Sequence, residues 1–175
     1  MSTRFISVFA SFALVALSLA AAPVLAQSGS NATPENVDLK TYKDWEVRCP
    51  KDRSKGSCEM TQLVNGSDSG KPILRVVMGY PPEIDSAAMI FILPLGTRLA
   101  PGVQLVVDGG QADTFPFQIC LEQGCRADFA VSDSLRNRLR SGSNATVSLI
   151  GPRGDRIDLK VSLQGFTDAD NDIRG

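Results

Sequence analysis

The sequence predicts an antiparallel all-β sandwich, immunoglobulin-like in general architecture, with one or two short helices and two local disulfides. Three observations carry that expectation. From Trp45 onward, short apolar runs are broken by turn residues every 8 to 14 positions, the punctuation of an all-β domain. Near the C-terminus Ile157, Leu159, Val161 and Leu163 alternate with Asp158, Lys160, Ser162 and Gln164, the period of a half-buried strand. The four cysteines fall into two close pairs, Cys49/Cys58 and Cys120/Cys125, as four cysteines do when they staple neighbouring strands in an oxidising compartment.

Residues 1–26 read as a signal peptide. Arg4 gives a positive start, residues 5–22 are apolar and uncharged, and Val24-Leu25-Ala26 suits cleavage after Ala26. An uncleaved membrane anchor is the rival reading; Pro23 and the small residues 20–22 favour cleavage, leaving no membrane span in the mature chain. Residues 27–40 are polar, without periodicity, and read as a disordered leader. Residues 41–175 then form one β-sandwich domain, long enough for a real core and too short for two. A formal net charge of −1, with both signs interspersed, excludes the basic face that a nucleic-acid partner requires.

Element by element, Trp45-Glu46-Val47-Arg48-Cys49 alternates as a strand, and Glu59-Met60-Thr61-Gln62-Leu63-Val64 follows it. Residues 65–70 are a turn cluster, residues 73–80 a strand ended by Pro81-Pro82, and residues 87–93 an uninterrupted apolar run expected to be covered on both faces. Residues 103–108 form a strand stopped by Gly109-Gly110. Residues 114–120 form another, which Pro116 confines to a sheet edge or a bulge. Residues 126–130 return across the second cysteine pair. Ser132 or Asp133 caps a helix that buries Leu135 and Leu139 and stops at Gly142; its Arg136, Arg138 and Arg140 suit the helix dipole and a solvated face better than a basic patch. A second, short and frayed helix follows Gly165-Phe166, with Thr167 as cap and Asp168 and Asp170 in its first turn.

Each cysteine pair brackets turn residues, so Cys49–Cys58 and Cys120–Cys125 are the favoured pairings among three connectivities. A four-cysteine zinc site competes poorly, because eight residues between Cys49 and Cys58 exceed the usual half-site spacing. Neither spacing is that of a thiol oxidoreductase. Asp168, Asp170 and Asp172 mimic the start of a calcium loop, yet Ile173 stands where glycine is needed and no twelfth-position glutamate follows. No metal and no cofactor are expected. Arg153-Gly154-Asp155 spells an adhesion tripeptide and is the weak candidate binding site, although Gly151-Pro152-Arg153-Gly154-Asp155 is also what hairpin turn chemistry alone produces. Asn31, Asn65 and Asn144 begin glycosylation triplets that matter only in a glycosylating pathway.

There is no histidine, which removes the Ser-His-Asp and Cys-His arrangements and any side chain with an ordinary pKa near neutrality. Asp108, Asp113, Glu122 and Asp128 lie near strand ends, but scattered surface carboxylates are the default for such a domain. No serine-lysine motif or phosphate loop occurs. The expectation is a protein that is not an enzyme.

The ordered fragments W-E-V-R-C, C-E-M-T-Q, I-L-P-L-G-T-R-L, P-G-V-Q-L-V-V-D, P-F-Q-I-C-x4-C-R-A and V-S-L-Q-G-F resemble the invasion-associated locus B family of exported bacterial proteins, from about Trp45 to Phe166. The resemblance implies a bacterial envelope protein, periplasmic or surface-associated, with a β-sandwich-like fold. It brings no catalytic residue set. The family was named for a part in host-cell invasion, and its wide spread among bacteria means that invasion is not its general task. The expected function is binding of a protein or cell-envelope component through loops and edge strands. The alternative is a small-ligand or glycan-binding periplasmic module using aromatic residues such as Tyr80, Phe115 and Phe117.

Overall fold

Alternation in the sequence becomes alternation of burial in the structure, a computed structural model that describes residues 36–66 and 70–174. The expected signal peptide, residues 27–35 of the leader and residues 67–69 of the turn cluster lie outside the described residues. The strands are β1 (Val37–Tyr42), β2 (Trp45–Pro50), β3 (Glu59–Asn65), β4 (Pro72–Gly79), β5 (Ala87–Leu93), β6 (Val103–Val107), β7 (Ala112–Phe115), β8 (Ile119–Leu121), β9 (Gly124–Val131), β10 (Asn144–Ile150) and β11 (Arg156–Ser162). The helices are α1 (Asp133–Ser141) and α2 (Phe166–Arg174). A seven-stranded sheet, β1-β2-β3-β4-β5-β9-β8, faces a four-stranded one, β11-β10-β6-β7, and every pairing is antiparallel.

The inward residues of the larger sheet stack in register across strands. Val47, Met60, Met78 and Met89 form one row and Gln62, Val76, Phe91 and Ala127 the next. Val103, Leu105, Val107, Ala145, Val147, Leu149, Leu159 and Val161 answer them from the smaller sheet. Four strands cannot cover seven, and the flank at β1 to β3 is closed by α2. Phe166 meets Trp45 edge-on, with ring centroids 5.3 Å apart, a geometry worth about 0.5–1.5 kcal/mol beyond the area it buries. Gly165, at φ +85°, lets the chain turn into the helix where any Cβ would strike the Tyr42 carbonyl. Buried Gln62 joins the sheets: its amide nitrogen donates to the Ser162 carbonyl at 3.0 Å and its oxygen accepts from Ser162 N–H at 2.9 Å.

Both cysteine pairs are disulfides, Cys49–Cys58 and Cys120–Cys125. The second joins directly opposed residues of the β8–β9 hairpin, and the first closes the β2–β3 connection around one 3-10 turn at Arg53–Lys55. In α1, Ser132 Oγ accepts from Leu135 N–H and Gly142 ends the helix, as its sequence indicates.

Five expectations are corrected. The leader does not extend to Lys40, because β1 begins at Val37; its side chains are largely exposed, and backbone pairing with β2, which carries no hydropathy signal, holds it. Strand β5 is buried on one face and half-buried on the other, where neighbouring strands' side chains partly cover it in place of a second layer. The run 114–120 is not one strand: Pro116 ends β7 in the smaller sheet, and the chain crosses to start β8 at the edge of the larger one. Helix α2 is not frayed, since Phe166, Ala169, Asp170 and Ile173 are buried. Thr167 does not cap it; its hydroxyl donates to the Arg140 carbonyl at 2.8 Å, and the Gly165 carbonyl accepts from Ala169 N–H.

Closing loops this short restricts the unfolded chain by ~2–3 kcal/mol for each bridge. Paired serine substitution of Cys49 and Cys58, or of Cys120 and Cys125, should lower the free energy of urea unfolding by about that much. A change in midpoint too small to resolve would show the bridges to be structurally idle.

Candidate interaction surface

The charges that look available in the sequence are mostly engaged inside the fold. Asp170, with 0% of its side chain exposed, takes Arg136 in a bidentate pair (Nη2 to Oδ2 2.7 Å, Nε to Oδ1 3.3 Å), a close contact from Arg140 Nη1, and the Tyr80 hydroxyl at 2.7 Å. Arg136 also lies over the Tyr80 ring, 5.8 Å from its centroid. The hydrogen bond to Asp170 raises the Arg136 pKa. Burial first, then the bond to Asp170, push the Tyr80 hydroxyl up to about 12. Arg138 pairs with Asp113 at 2.6 Å. The arginines of α1 therefore form neither a solvated face nor a basic patch. They latch α1 to α2 and to β7, which spacing along one helix cannot reveal, because the carboxylates come from distant segments.

Other predicted residues are likewise accounted for by local structure. Asp108 accepts from the backbone N–H groups of Ser143 and Asn144, and Asp128 pairs with Arg126 at 2.7 Å, while Glu122 sits exposed in the β8–β9 turn. Asp168, Asp170 and Asp172 lie on a helix, not a loop: Asp170 holds the arginines and Asp172 accepts from Lys40 Nζ at 2.7 Å, raising the lysine pKa. Among the described residues no group of three or more His, Cys, Asp or Glu is placed to hold a metal ion. Phe115 stacks on Phe129 with 5° between the rings, so Tyr80 and Phe115 both belong to packing. Phe117 is half-buried against the core. Arg153, Gly154 and Asp155 occupy the solvent-facing β10–β11 turn. Gly154 has φ +89°, Gly151 N–H donates to the Asp155 carbonyl at 2.8 Å, and the Arg98 guanidinium lies 3.5 Å from where a Gly154 Cβ would be.

The outward face of the larger sheet is different. Strand register places Leu63, Arg75, Ile92, Arg126 and Ile119 in one cross-strand row, Thr61, Val77, Ile90 and Asp128 in the next, and Glu59, Gly79, Ala88 and Ala130 in a third. Among the described residues neither the smaller sheet nor a helix covers these rows. Leu63 is 52% exposed, Ile119 48% and Leu121 46%. Two concavities run along this face and share Leu63 and Arg75. One, of about 260 Å³, reaches toward Lys43 and Glu46. The other, of about 450 Å³, is lined by Leu63, Ile73, Ile92, Leu121, Arg75 and Arg126 among others. In the first row aliphatic side chains are interleaved with guanidinium groups, combining apolar area with charge. Sequence periodicity marks these residues only as the outer side of each strand; which outer side stays bare is decided by the sheet order.

A family model described as Invasion associated locus B (IalB) protein matches residues 45–174. The chain is 30% identical over 133 residues to an invasion protein B homolog of Brucella abortus (strain 2308), covering 73% of each, and equally to one of Brucella abortus biovar 1 (strain 9-941). Its fold is similar to the crystal structure of invasion associated protein b from Bartonella henselae, with a TM-score of 0.68 and 19% identity over 78% of this chain and 95% of that one. Among the described residues no helix is long and apolar enough to cross a membrane.

The Asp170 latch yields two expected outcomes. Asp170→Ala removes the carboxylate that two partly buried guanidinium groups share, leaving Arg140 only the Asn171 Oδ1 contact at 2.9 Å, and should cost about 3 kcal/mol in urea unfolding. Because the folded state favours the neutral Tyr80 phenol, its contribution is complete below the ordinary tyrosine pKa of about 10 and is lost as pH rises through about 12. Tyr80→Phe should flatten that alkaline decline, and identical pH profiles for the two proteins would dissociate Tyr80 from the latch.

Proposed function

The chain belongs to the invasion associated locus B family, and from that premise we propose that it is a non-enzymatic, exported protein of the bacterial envelope that docks another protein or surface component on the outward face of its larger sheet. The observation that carries this reading is the row Leu63, Arg75, Ile92, Arg126 and Ile119, in which exposed or half-buried aliphatic residues alternate with arginines across five strands. In a small β-sandwich the side away from the second sheet is normally polar. Aliphatic residues alternating with guanidinium groups on that side support an interaction site.

Several features support the rest. The absence of histidine and the engagement of Asp113, Asp128 and Asp170 in ion pairs leave little apparatus for proton transfer. The signal-like residues 1–26 and the two disulfides suit a periplasmic or outer-surface location. The relatives are described as invasion proteins, so the docked component belongs, in this reading, to the contact between bacterium and host cell or to the envelope machinery that prepares it. A glycan-binding role is less well supported, because Tyr80 and Phe115 are held in packing while the open grooves are lined mainly by aliphatic side chains.

The test is in-cell crosslinking. Photoreactive residues at Leu63 and at Leu121 should capture the same discrete adduct in intact bacteria, and one at Lys160, on the far side of the sandwich, should not. Absence of any adduct from both sheet positions, with the protein folded and exported, would remove the docking reading. Recovery of the chain from the cytoplasm with four free thiols would remove the export reading.

A further inference from the structure

We propose that the groove around Arg75 receives the β4–β5 loop of a second copy of this chain. The inference rests on the outward face being a docking surface and names its occupant. It starts from an unmatched charge. Arg126 is held by Asp128 in a bidentate pair. Arg75, flanked by Leu63 and Ile92 in the same row, is exposed and makes no ion pair or side-chain hydrogen bond among the described residues. A guanidinium set between aliphatic side chains in a groove of about 450 Å³ selects a carboxylate that has an aliphatic neighbour, because charge and apolar area are then matched together.

The chain itself presents that combination. Glu83, Ile84 and Asp85 stand in the loop 80–86; Ile84 is 42% exposed, and both acids are exposed, without an ion pair or side-chain hydrogen bond among the described residues. This loop lies at the opposite end of the β4–β5 hairpin from the groove. Gly79 pairs with Ala88 beside the loop, whereas Arg75 pairs with Ile92 beside the groove. Four residues of strand separate them by about 14 Å before the loop begins. A copy therefore cannot fill its own groove. Groove and loop are different surfaces of one chain, so a one-way contact leaves one loop and one groove open on the growing assembly, whereas a reciprocal exchange closes a two-fold dimer. Two other occupants fit less well: a glycan would meet aliphatic walls in place of aromatic ones, and an anionic bilayer would meet a single unpaired guanidinium.

Sedimentation velocity on the purified, disulfide-intact protein tests this. The wild-type weight-average mass should rise with concentration, to that of a dimer where the exchange is reciprocal and past it where the contact is one-way. Arg75→Glu alone and the double variant Glu83→Arg/Asp85→Arg alone should each remain monomeric, with wild-type circular dichroism. Mixing the two should restore association, because the acidic loop of the first fits Arg75 of the second, and the arginine-bearing loop of the second meets the glutamate introduced in the first. A misfolded variant could not be rescued in this way. A wild-type protein that stays monomeric into the millimolar range, a closed dimer indifferent to Arg75→Glu, or a mixture that fails to associate would each overturn the proposal. A photoreactive residue at Leu63 separates the two readings. With purified protein the adduct should map to residues 80–86 of another copy. Capture in cells of a different protein alone, with the purified chain monomeric, sinks self-association and leaves the docking surface standing.

Discussion

A carboxylate without access to water holds this molecule's layers in place. Asp170 stabilises the fold only while Arg136, Arg140 and Tyr80 converge on it; the desolvation of an isolated buried carboxylate would cost far more than a helix of nine residues returns. The latch and the apolar docking of Phe166 on Trp45 are thus mutually dependent. Together they let a seven-stranded sheet face a four-stranded one without leaving its β1–β3 flank open to water. Such a buried ionic centre adds specificity more than stability, because it accepts only one placement of α1 against α2.

That arrangement also determines which surface is left for function. The smaller sheet and α2 divide the inner face of the larger sheet between them, and among the described residues no further element lies on the outer face. The family shares its fold with an invasion-associated protein of known structure, and the fold has one broad aliphatic surface with unengaged charge at Arg75. Carboxylates that sit near basic groups, such as Asp113, Asp128 and Asp170, are engaged by them in ion pairs.

Legibility from the sequence followed the range of the forces involved. Strands such as Arg156–Ser162 and Trp45–Pro50 were readable because alternation of Val, Leu and Ile with charge reports directly on a half-buried surface. The cysteine pairs were readable because five and nine residues of separation leave little choice of geometry. Helix α1 announced itself through Ser132 and Gly142. Strand β1 did not, since it is held by backbone hydrogen bonds to β2. The order of α2 was hidden for a different reason: its acidic residues look like a solvated end until Arg136 and Arg140, some thirty residues earlier, are brought against Asp170. Pro116 was correctly read as incompatible with a central strand, but only sheet order shows that it hands the chain from one layer to the other. The proposed docking surface was illegible in the same sense, because nothing in the residues 63, 75 and 92 says that they will be neighbours.

The pair between Lys40 and Asp172 has a practical corollary. It ties the strand that opens the fold to the helix that finishes it, on the side of the sheet carrying α2. A tether or reporter grafted near Asn36 or after Arg174 would therefore emerge close to that rear side. Fluorescent reporters or immobilisation handles attached at those positions should accordingly leave the outward rows of the larger sheet facing the medium.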